Sequence, residues 1–197
     1  MDDEQWTRLE TYHDWLLEEA MPAGGVGPRE GPRLWPRHIL DSLTFAAGWR
    51  GEEPPGELLD VGTGVGLPGI PLAIAFPDTM VRLLDRGGRR IRLIQRATRI
   101  LELPNAVAEQ ADVFSVADEW ESVVFRGSVT APEAVGLAAK LLTLGGTAVL
   151  GLSRREEPPA ETRNLIGIAE AMGLGTEVVQ PPATILDGPA WLLIMSS

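Results

Sequence analysis

The 197-residue sequence contains no cysteine and only two histidines, His13 and His38. The lack of cysteine excludes a disulfide scaffold, a cysteine nucleophile and thiolate metal sites, and two histidines cannot supply a histidine-rich centre, so we expect no metal. No apolar run approaches the roughly 20 residues of a membrane span. The acidic residues 1–4 lack the form of a secretory signal. These absences predict a globular cytoplasmic protein without a membrane partner, and they leave its oligomeric state open.

Basic residues are also scarce, since 17 Lys and Arg face 28 Asp and Glu, for a net charge of −11. Such a balance argues against a nucleic-acid partner. The deficit is uneven, because residues 58–99 carry a net charge of +4. We expect the arginines of this segment to lie in or just before one helix; they are Arg82, Arg86, Arg89, Arg90, Arg92, Arg96 and Arg99. Two interpretations stay open, a phosphate-binding patch or a solvated helix face paired with acids.

The chain divides into two parts by pattern. Residues 1–56 predict an N-terminal helical cap, interrupted by a loop at residues 21–36 that holds eight glycines and prolines. From residue 57 to 197, short apolar runs alternate with longer amphipathic ones. This alternation predicts an α/β, Rossmann-like domain, in which a mostly parallel seven-stranded sheet carries helices on both faces.

The segment with the strongest chemical signal is Leu-Leu-Asp-Val-Gly-Thr-Gly-Val-Gly-Leu-Pro-Gly at residues 58–69. A buried strand here leads into a turn whose glycines let a nucleotide-like ligand approach the backbone. The acid Asp60 fits the amino-acid end of S-adenosylmethionine, and Pro68 and Pro71 remove amide donors that a pyrophosphate needs. S-adenosylmethionine is therefore favoured over NAD, with Asp60, Gly62, Thr63, Gly64 and Gly66 as candidate binding residues.

Two further acids follow strands. Asp85 ends the second strand, where a carboxylate can accept both hydroxyls of an adenosine ribose. This position supports an adenosine ligand without choosing between the methyl donor and NAD. Asp112 follows the third strand and is predicted either to cap the next helix or to contact the adenine amino group.

The residues then resemble a known family. The sequences Arg-His-Ile-Leu-Asp-Ser-Leu at residues 37–43 and Leu-Asp-Val-Gly-Thr-Gly-Val-Gly-Leu-Pro-Gly-Ile-Pro-Leu at residues 59–72 are similar to the bacterial small-subunit (16S) rRNA guanine-N7 methyltransferases, also called the glucose-inhibited division protein B family. Leu84-Asp85, Arg89-Arg90 and Leu103-Pro104-Asn105 follow in the same order. The resemblance is strong over residues 37–115 and implies a class I methyltransferase fold with S-adenosylmethionine as methyl donor.

The resemblance also implies roles for individual residues. Gly62 and Leu67 line the donor pocket, Val113 and Phe114 lie beside the adenine, and Arg126 lies near both donor and acceptor. On the acceptor side it implies Arg37, His38, Arg126, Arg154 and Arg155, with 16S rRNA or the small ribosomal subunit as partner. The chain departs from the family pattern on this side, where Phe125-Arg126-Gly127 and Gly151-Leu152 replace Ser-Arg-Ala and Lys-Gly.

The expected reaction is methyl transfer to guanine N7, and no residue is assigned a catalytic role because N7 carries a free lone pair and no proton. Three alternatives stay open. In the first, the acceptor is a small molecule or another RNA. In the second, the chain is a non-catalytic S-adenosylmethionine-binding module, and in the third, the ligand is NAD.

Overall fold

The computed structural model describes residues 1–49, 53–152, 156–182 and 186–197. Its centre is one seven-stranded sheet in the order β3-β2-β1-β4-β5-β7-β6. The strands are β1 (Glu57–Val61), β2 (Met80–Asp85), β3 (Ala106–Gln110), β4 (Trp120–Phe125), β5 (Leu142–Gly151), β6 (Gly175–Val179) and β7 (Leu192–Ser196). The first five run parallel, and β7 is antiparallel to both of its neighbours. The predicted mostly parallel α/β sheet is confirmed.

The α-helices cover both faces of the sheet. They are α1 (Asp3–Trp15), α2 (Leu40–Leu43), α3 (Gly69–Ala75), α4 (Gly88–Ile100), α5 (Ala131–Leu141) and α6 (Thr162–Ala171). Side chains alternate along each strand, so Leu58 of β1 enters one core while Leu59 and Val61 enter the other. The first core contains α3 and α4, and the second contains α5 and α6.

The N-terminal segment is tied to the first of these cores. A capping box between Asp2 and Gln5 starts α1, and the Gln5 amide also donates to the carbonyls of Ile74 and Ala75 where α3 ends. The side chains of Leu9, Tyr12 and many later residues up to Trp49 are buried together with those of α3 and the sheet. Residues 1–49 and the sheet thus share one hydrophobic core.

The predicted loop at residues 21–36 is wrong at its C-terminal end. Helical turns begin at Gly31–Arg33 and continue as a π-helical segment at Leu34–Ile39 that leads into α2. Pro32 lies in the first turn of the earlier segment, where a proline lacks only an amide that has no helical partner. The proline content is therefore compatible with these helical turns.

Two further findings concern the described part of the chain. None of its helices combines the length and apolar character needed to cross a membrane. It also contains no group of three or more histidine, aspartate or glutamate side chains placed to hold a metal ion.

Candidate active site

The glycine-rich segment forms a tight turn after β1. Gly62, Gly64 and Gly66 all have positive φ angles, of 65°, 65° and 105°. Residues other than glycine rarely adopt such angles. Gly62 also closely approaches the turn after β4, because a Cβ atom there would lie 2.3 Å from the Cβ of Ser128. The predicted glycine turn after the first strand is confirmed, and the approach of a ligand to its backbone stays a prediction.

Asp60 lies beneath this turn and is fully buried. Its Oδ2 accepts a 2.8 Å hydrogen bond from the Gly69 amide. Burial raises the pKa of Asp60 to about 6, and hydrogen bonding to Thr63 and Gly69 opposes this shift. Asp60 thus joins the turn to the start of α3.

Asp85 is held by backbone amides at the end of β2. Its carboxylate accepts from the Gly64 amide at 3.1 Å and from the Gly87 amide at 2.8 Å. The Arg90 guanidinium lies 3.5 Å from Oδ2. The Asp85 side chain is only 2% exposed, so its position is set by the backbone of two turns.

A first cavity of about 310 Å³ opens beside Asp85 at the carboxyl edge of the sheet. Five predicted binding residues line it, namely Gly62, Asp85, Asp112, Val113 and Phe114. Sequence reasoning missed other lining residues, including Arg86, Arg90, Ser128 and Glu133. These lie in turns or first helical turns after strands, where the parallel topology, and no local motif, brings them together.

Other candidate residues lie outside the lining of this cavity. Asp60, Thr63, Gly64, Gly66 and Leu67 form or underlie the turn, and their contribution is to its shape and to the placement of Asp85. Asp112 accepts from the Phe114 amide at 3.1 Å, so it caps the short helical turn Val113–Ser115. The capping prediction for Asp112 is confirmed, and the same residue borders the cavity.

A second cavity of about 490 Å³ lies next to the first, and Gly127 lines both. One wall is polar and contains Arg37, His38, Asp41 and Arg126. The other lining residues are mainly apolar and include Phe45, Leu152, Ala190, Trp191 and Leu192. Arg37, His38 and Arg126 were predicted on the acceptor side, whereas Arg154 and Arg155 lie outside the described residues.

Arg126 is the centre of the polar wall. Its Nε donates to Asp41 Oδ2 at 3.1 Å, and its Nη2 donates to the Arg37 carbonyl at 3.1 Å. Nη2 also lies 3.3 Å from His38 Nδ1. These contacts fix a guanidinium whose side chain is 22% exposed next to a carboxylate side chain that is 9% exposed.

His38 extends this network outward. Because Nδ1 faces a donor of Arg126, we assign the proton to Nε2, which lies 3.0 Å from Glu30 Oε2. Burial lowers the pKa of His38, and the hydrogen bond to Glu30 opposes this shift. Glu30 also pairs with Arg37 at 3.3 Å. The neutral imidazole therefore links the cavity wall to the proline-rich segment.

Tyr12 of α1 makes a contact with the glycine turn that sequence reasoning missed. Its hydroxyl, fully buried, donates to the Val65 carbonyl of the glycine turn at 2.9 Å. Burial, with a smaller effect of Asp60, raises the pKa of Tyr12 well above its usual value. No sequence motif gave a signal for this residue or for its polar partner, the Val65 carbonyl.

The arginine segment is only partly a patch. Arg82 lies on β2, the strand before the helix, where it pairs with Glu109 and stacks over Trp120. Arg96 pairs with Glu19, as the solvated-face interpretation expects. Arg86, Arg89 and Arg92 are exposed, and the structure gives them no ion pair among the described residues. The two interpretations thus apply to different arginines of one segment.

Comparison with known proteins identifies the family. A sequence model described as rRNA small subunit methyltransferase G matches residues 5–167. The chain belongs to this family. It is 33% identical over 194 residues to ribosomal RNA small subunit methyltransferase G of Mycobacterium marinum, covering 89% of this chain and 80% of the relative. It is 43% identical over 140 residues to the protein of that name from Methylococcus capsulatus, covering 70% and 64%.

Solved structures agree on the fold. M. jannaschii TYW2 in complex with AdoMet gives a TM-score of 0.60 at 15% identity, covering 81% of this chain and 74% of that one. The [4+2]-cyclase SpnF gives 0.62 at 10% identity, covering 80% and 79%. Identities this low show the fold alone, and a cyclase among them illustrates that this fold does not set the reaction. Family and fold together confirm the prediction of a class I S-adenosylmethionine-dependent methyltransferase.

Proposed function

We propose that this protein transfers a methyl group from S-adenosylmethionine to N7 of a guanine in small-subunit (16S) rRNA. The observation that carries the proposal is the pair of adjoining cavities at the carboxyl edge of the sheet, in a chain of the rRNA small subunit methyltransferase G family. The first cavity is the donor site and the second is the acceptor site. Residues 1–56 then form a cap that supplies one acceptor wall, residues 57–197 form the methyltransferase domain, and the protein works in the cytoplasm.

The residues of the first cavity fit the methyl donor. Asp85 offers a carboxylate at the end of β2 for ribose hydroxyls. Val113 and the 54% exposed side chain of Phe114 offer apolar surface for the adenine. The Gly62 backbone and the turn that it begins lie where the methionine portion approaches. When bound, this donor supplies an electrophilic methyl carbon on a positively charged sulfur.

The residues of the second cavity need only position the acceptor. The guanine N7 lone pair forms the new bond to carbon while the carbon–sulfur bond breaks and its electron pair stays on sulfur. No proton moves, so no general base is required, and alignment supplies most of the rate advantage. His38 and Asp41 are held by hydrogen bonds to Arg126, which suits a role in orienting a base.

Exposed arginines support an RNA acceptor over a small molecule. Arg86 borders the first cavity, and Arg89 and Arg92 follow it on exposed positions of α4. Three cations without ion pairs in the described structure form a local phosphate-binding surface on an otherwise acidic chain. Arg96, which is paired with Glu19, is not part of this surface.

The test compares rRNA from cells with and without the gene. Nucleoside digests of small-subunit rRNA from the deletion strain are expected to lack one N7-methylguanosine, and purified protein with S-adenosylmethionine is expected to restore it. An unchanged nucleoside profile would exclude the proposed acceptor. Thermal stabilisation by S-adenosylmethionine in that case would leave a small-molecule acceptor or a non-catalytic binding module, and stabilisation by NAD(H) alone would exclude the donor assignment as well.

A further inference from the structure

We propose that Gly25 is a positioning residue of the donor site, and that the cap holds the glycine turn in the shape that binds S-adenosylmethionine. This inference rests on the assignment of the first cavity to the methyl donor and deepens it. Neither Gly25 nor Tyr12 lines a cavity, so both act through the turn. The cap, which supplies one wall of the acceptor site, in this way also completes the donor site.

The first contact between the cap and the turn is polar. The Tyr12 hydroxyl of α1 donates to the Val65 carbonyl at 2.9 Å, and both residues are buried. Val65 stands between Gly64 and Gly66, which both have positive φ angles. Because glycine adopts many backbone conformations, such a turn depends on outside contacts to keep one of them. Tyr12 supplies one such contact, at the backbone of Val65.

The second contact is steric and comes from the proline- and glycine-rich segment. A Cβ atom on Gly25 would lie 2.3 Å from Cγ1 of Val65 and 3.1 Å from the carbonyl oxygen of Ala20. The Gly25 amide donates to the same Ala20 carbonyl at 2.8 Å, and Ala20 is fully buried, so the position of Gly25 is fixed from behind. The Gly25 backbone therefore packs directly against the Val65 side chain.

Gly25 differs from the glycines beside it. Gly24 has a φ angle of 76°, and no other group lies within 4 Å of a Cβ atom built there. A Cβ atom on Gly27 would meet Glu30 Cγ at 3.7 Å, which is an ordinary contact. Gly25 lies outside the left-handed region, so an alanine there meets no backbone strain. The lack of a side chain at Gly25 thus serves its close approach to Val65.

The glycine turn passes a displacement of Val65 on to the first cavity. The amide of Gly64, the preceding residue, donates to Asp85 Oδ2 at 3.1 Å, and Asp85 lines the cavity. The amide of Gly66, the following residue, donates to the Thr63 carbonyl at 2.9 Å. A shift of Val65 therefore strains the hydrogen bond that orients the Asp85 carboxylate.

The first experiment measures donor affinity and needs no turnover. S-adenosylmethionine is titrated by calorimetry into the wild-type protein, Gly25→Ala and the matched control Gly27→Ala. Since non-bonded carbon atoms pack at about 3.5 Å or more, the added methyl must displace Val65 by about 1 Å. We expect about a 10-fold loss of donor affinity in Gly25→Ala, and a change within about 2-fold in Gly27→Ala. Wild-type affinity in Gly25→Ala would overturn the inference.

A second substitution shows whether the loss passes through Val65. Val65→Ala gives up one contact that holds the turn and should lower donor affinity about 3-fold. It also removes Cγ1, the atom that the added methyl meets, so Gly25→Ala/Val65→Ala should bind the donor within about 2-fold of Val65→Ala alone. Additive losses in the double variant would overturn the inference. Val65→Ala adds no bulk, so it carries the test if Gly25→Ala does not fold, and unchanged affinity in Val65→Ala would overturn the inference as well.

The second experiment separates donor positioning from general damage to the fold. In methyl transfer to 30S subunits from the deletion strain, Gly25→Ala should raise KM for S-adenosylmethionine about 10-fold. Its kcat at saturating donor and its KM for the subunits should stay within about 2-fold of wild type. A fall in kcat with an unchanged donor KM would overturn the inference. Wild-type protein that binds no S-adenosylmethionine would instead defeat the donor assignment, and wild-type protein that binds it but modifies no rRNA would defeat only the proposed acceptor.

Discussion

The two cavities are built by different means. In the first, the Asp85 carboxylate is held by the backbone amides of Gly64 and Gly87. Asp60, beneath the neighbouring turn, is held in the same way by the Gly69 amide. In the second, side chains hold one another across long stretches of sequence. Arg126 binds Asp41, 85 residues away, and outside the cavity lining Arg33 binds Asp187. The residues of a site that is held by backbone amides lie mostly in one contiguous motif. A site that is held by side chains depends on several distant segments folding together.

The largest expected effect concerns Asp60, which is held by a backbone amide beneath the glycine turn. Asp60→Asn should gain free energy of unfolding relative to wild type, by up to about 3 kcal/mol, as the pH rises from 4 to 7. The reason is that folded wild type keeps a proton on Asp60 up to a pKa of about 6, while the unfolded chain releases it near 3.8. Urea denaturation across this pH range measures the difference. Asp78→Asn, at an exposed position, controls for the lost charge, and a pH-independent difference would remove Asp60 from the titration.

The same denaturation series measures the pH dependence of stability that is due to His38 in the second cavity. Because burial lowers the pKa of His38, the unfolded chain binds its proton at higher pH than the folded one. Wild type should therefore lose stability relative to His38→Gln as the pH falls below about 6.5, the opposite sign to Asp60. A parallel pH dependence in the two proteins would show that His38 keeps its ordinary pKa.

Arg126→Ala should have the next largest effect and decides which cavity this residue serves. It removes the donors to Asp41 and His38, so we expect about a 100-fold loss of kcat/KM for 30S subunits. Donor affinity by calorimetry should stay within 2-fold. Arg126→Lys keeps the charge without the planar fork and should recover only part of the rate. A matching loss of donor affinity would place Arg126 on the donor side.

Asp85→Ala should have the converse effect. We expect donor affinity to fall about 10-fold, since a carboxylate that binds ribose hydroxyls contributes at least one charge-assisted hydrogen bond. Calorimetric titration with S-adenosylmethionine measures the loss. Asp85→Asn keeps an acceptor for the Gly64 and Gly87 amides, and so it separates ligand contact from support of the turns. Unchanged affinity in both variants would refute the ribose assignment.

The smallest expected effect concerns the link from α1 to the glycine turn. Tyr12→Phe removes the hydroxyl that donates to the Val65 carbonyl, and this should weaken donor binding about 3-fold and cost about 1 kcal/mol of stability. Calorimetry and urea denaturation give the two values. The neighbouring Thr11→Ala, at an exposed position of the same helix, is the control. Loss of stability alone would mean that the hydroxyl supports the core and not the turn.

Much of the first cavity could be predicted from the sequence because its parts are local. Residues 58–69 specify strand, turn and glycine positions within one segment, and Asp85 and Asp112 mark the ends of the next two strands. Ser128 and Glu133 could not be predicted, since only the pairing of β4 beside β1 brings them to the cavity. Asn105, quoted as part of the family pattern, is structural, because its amide donates to the carbonyls of Ala73, Phe76 and Thr79.

The second cavity was harder to predict because its residues come from distant segments of the chain. Arg37, His38 and Arg126 were assigned to it by family resemblance, but their network could not be derived from spacing. Glu30 lies in a segment whose glycines and prolines indicated only a loop. Trp191 lies near the C-terminus, outside any motif. Periodicity and turn residues report local backbone conformation, and ion pairs between segments 85 or 154 residues apart leave no such trace.

Gly127 separates the two cavities by one residue without a side chain, in a left-handed conformation with φ of 67°. Ligands bound in the two cavities would therefore lie close to each other. Thermodynamic reciprocity then requires that whatever one occupant does to the affinity of its neighbour is returned in full. Methyl transfer removes the positive charge of the sulfonium in one cavity and places a positive charge on the base in the other. We therefore expect the release of each product to depend on whether the other is still bound.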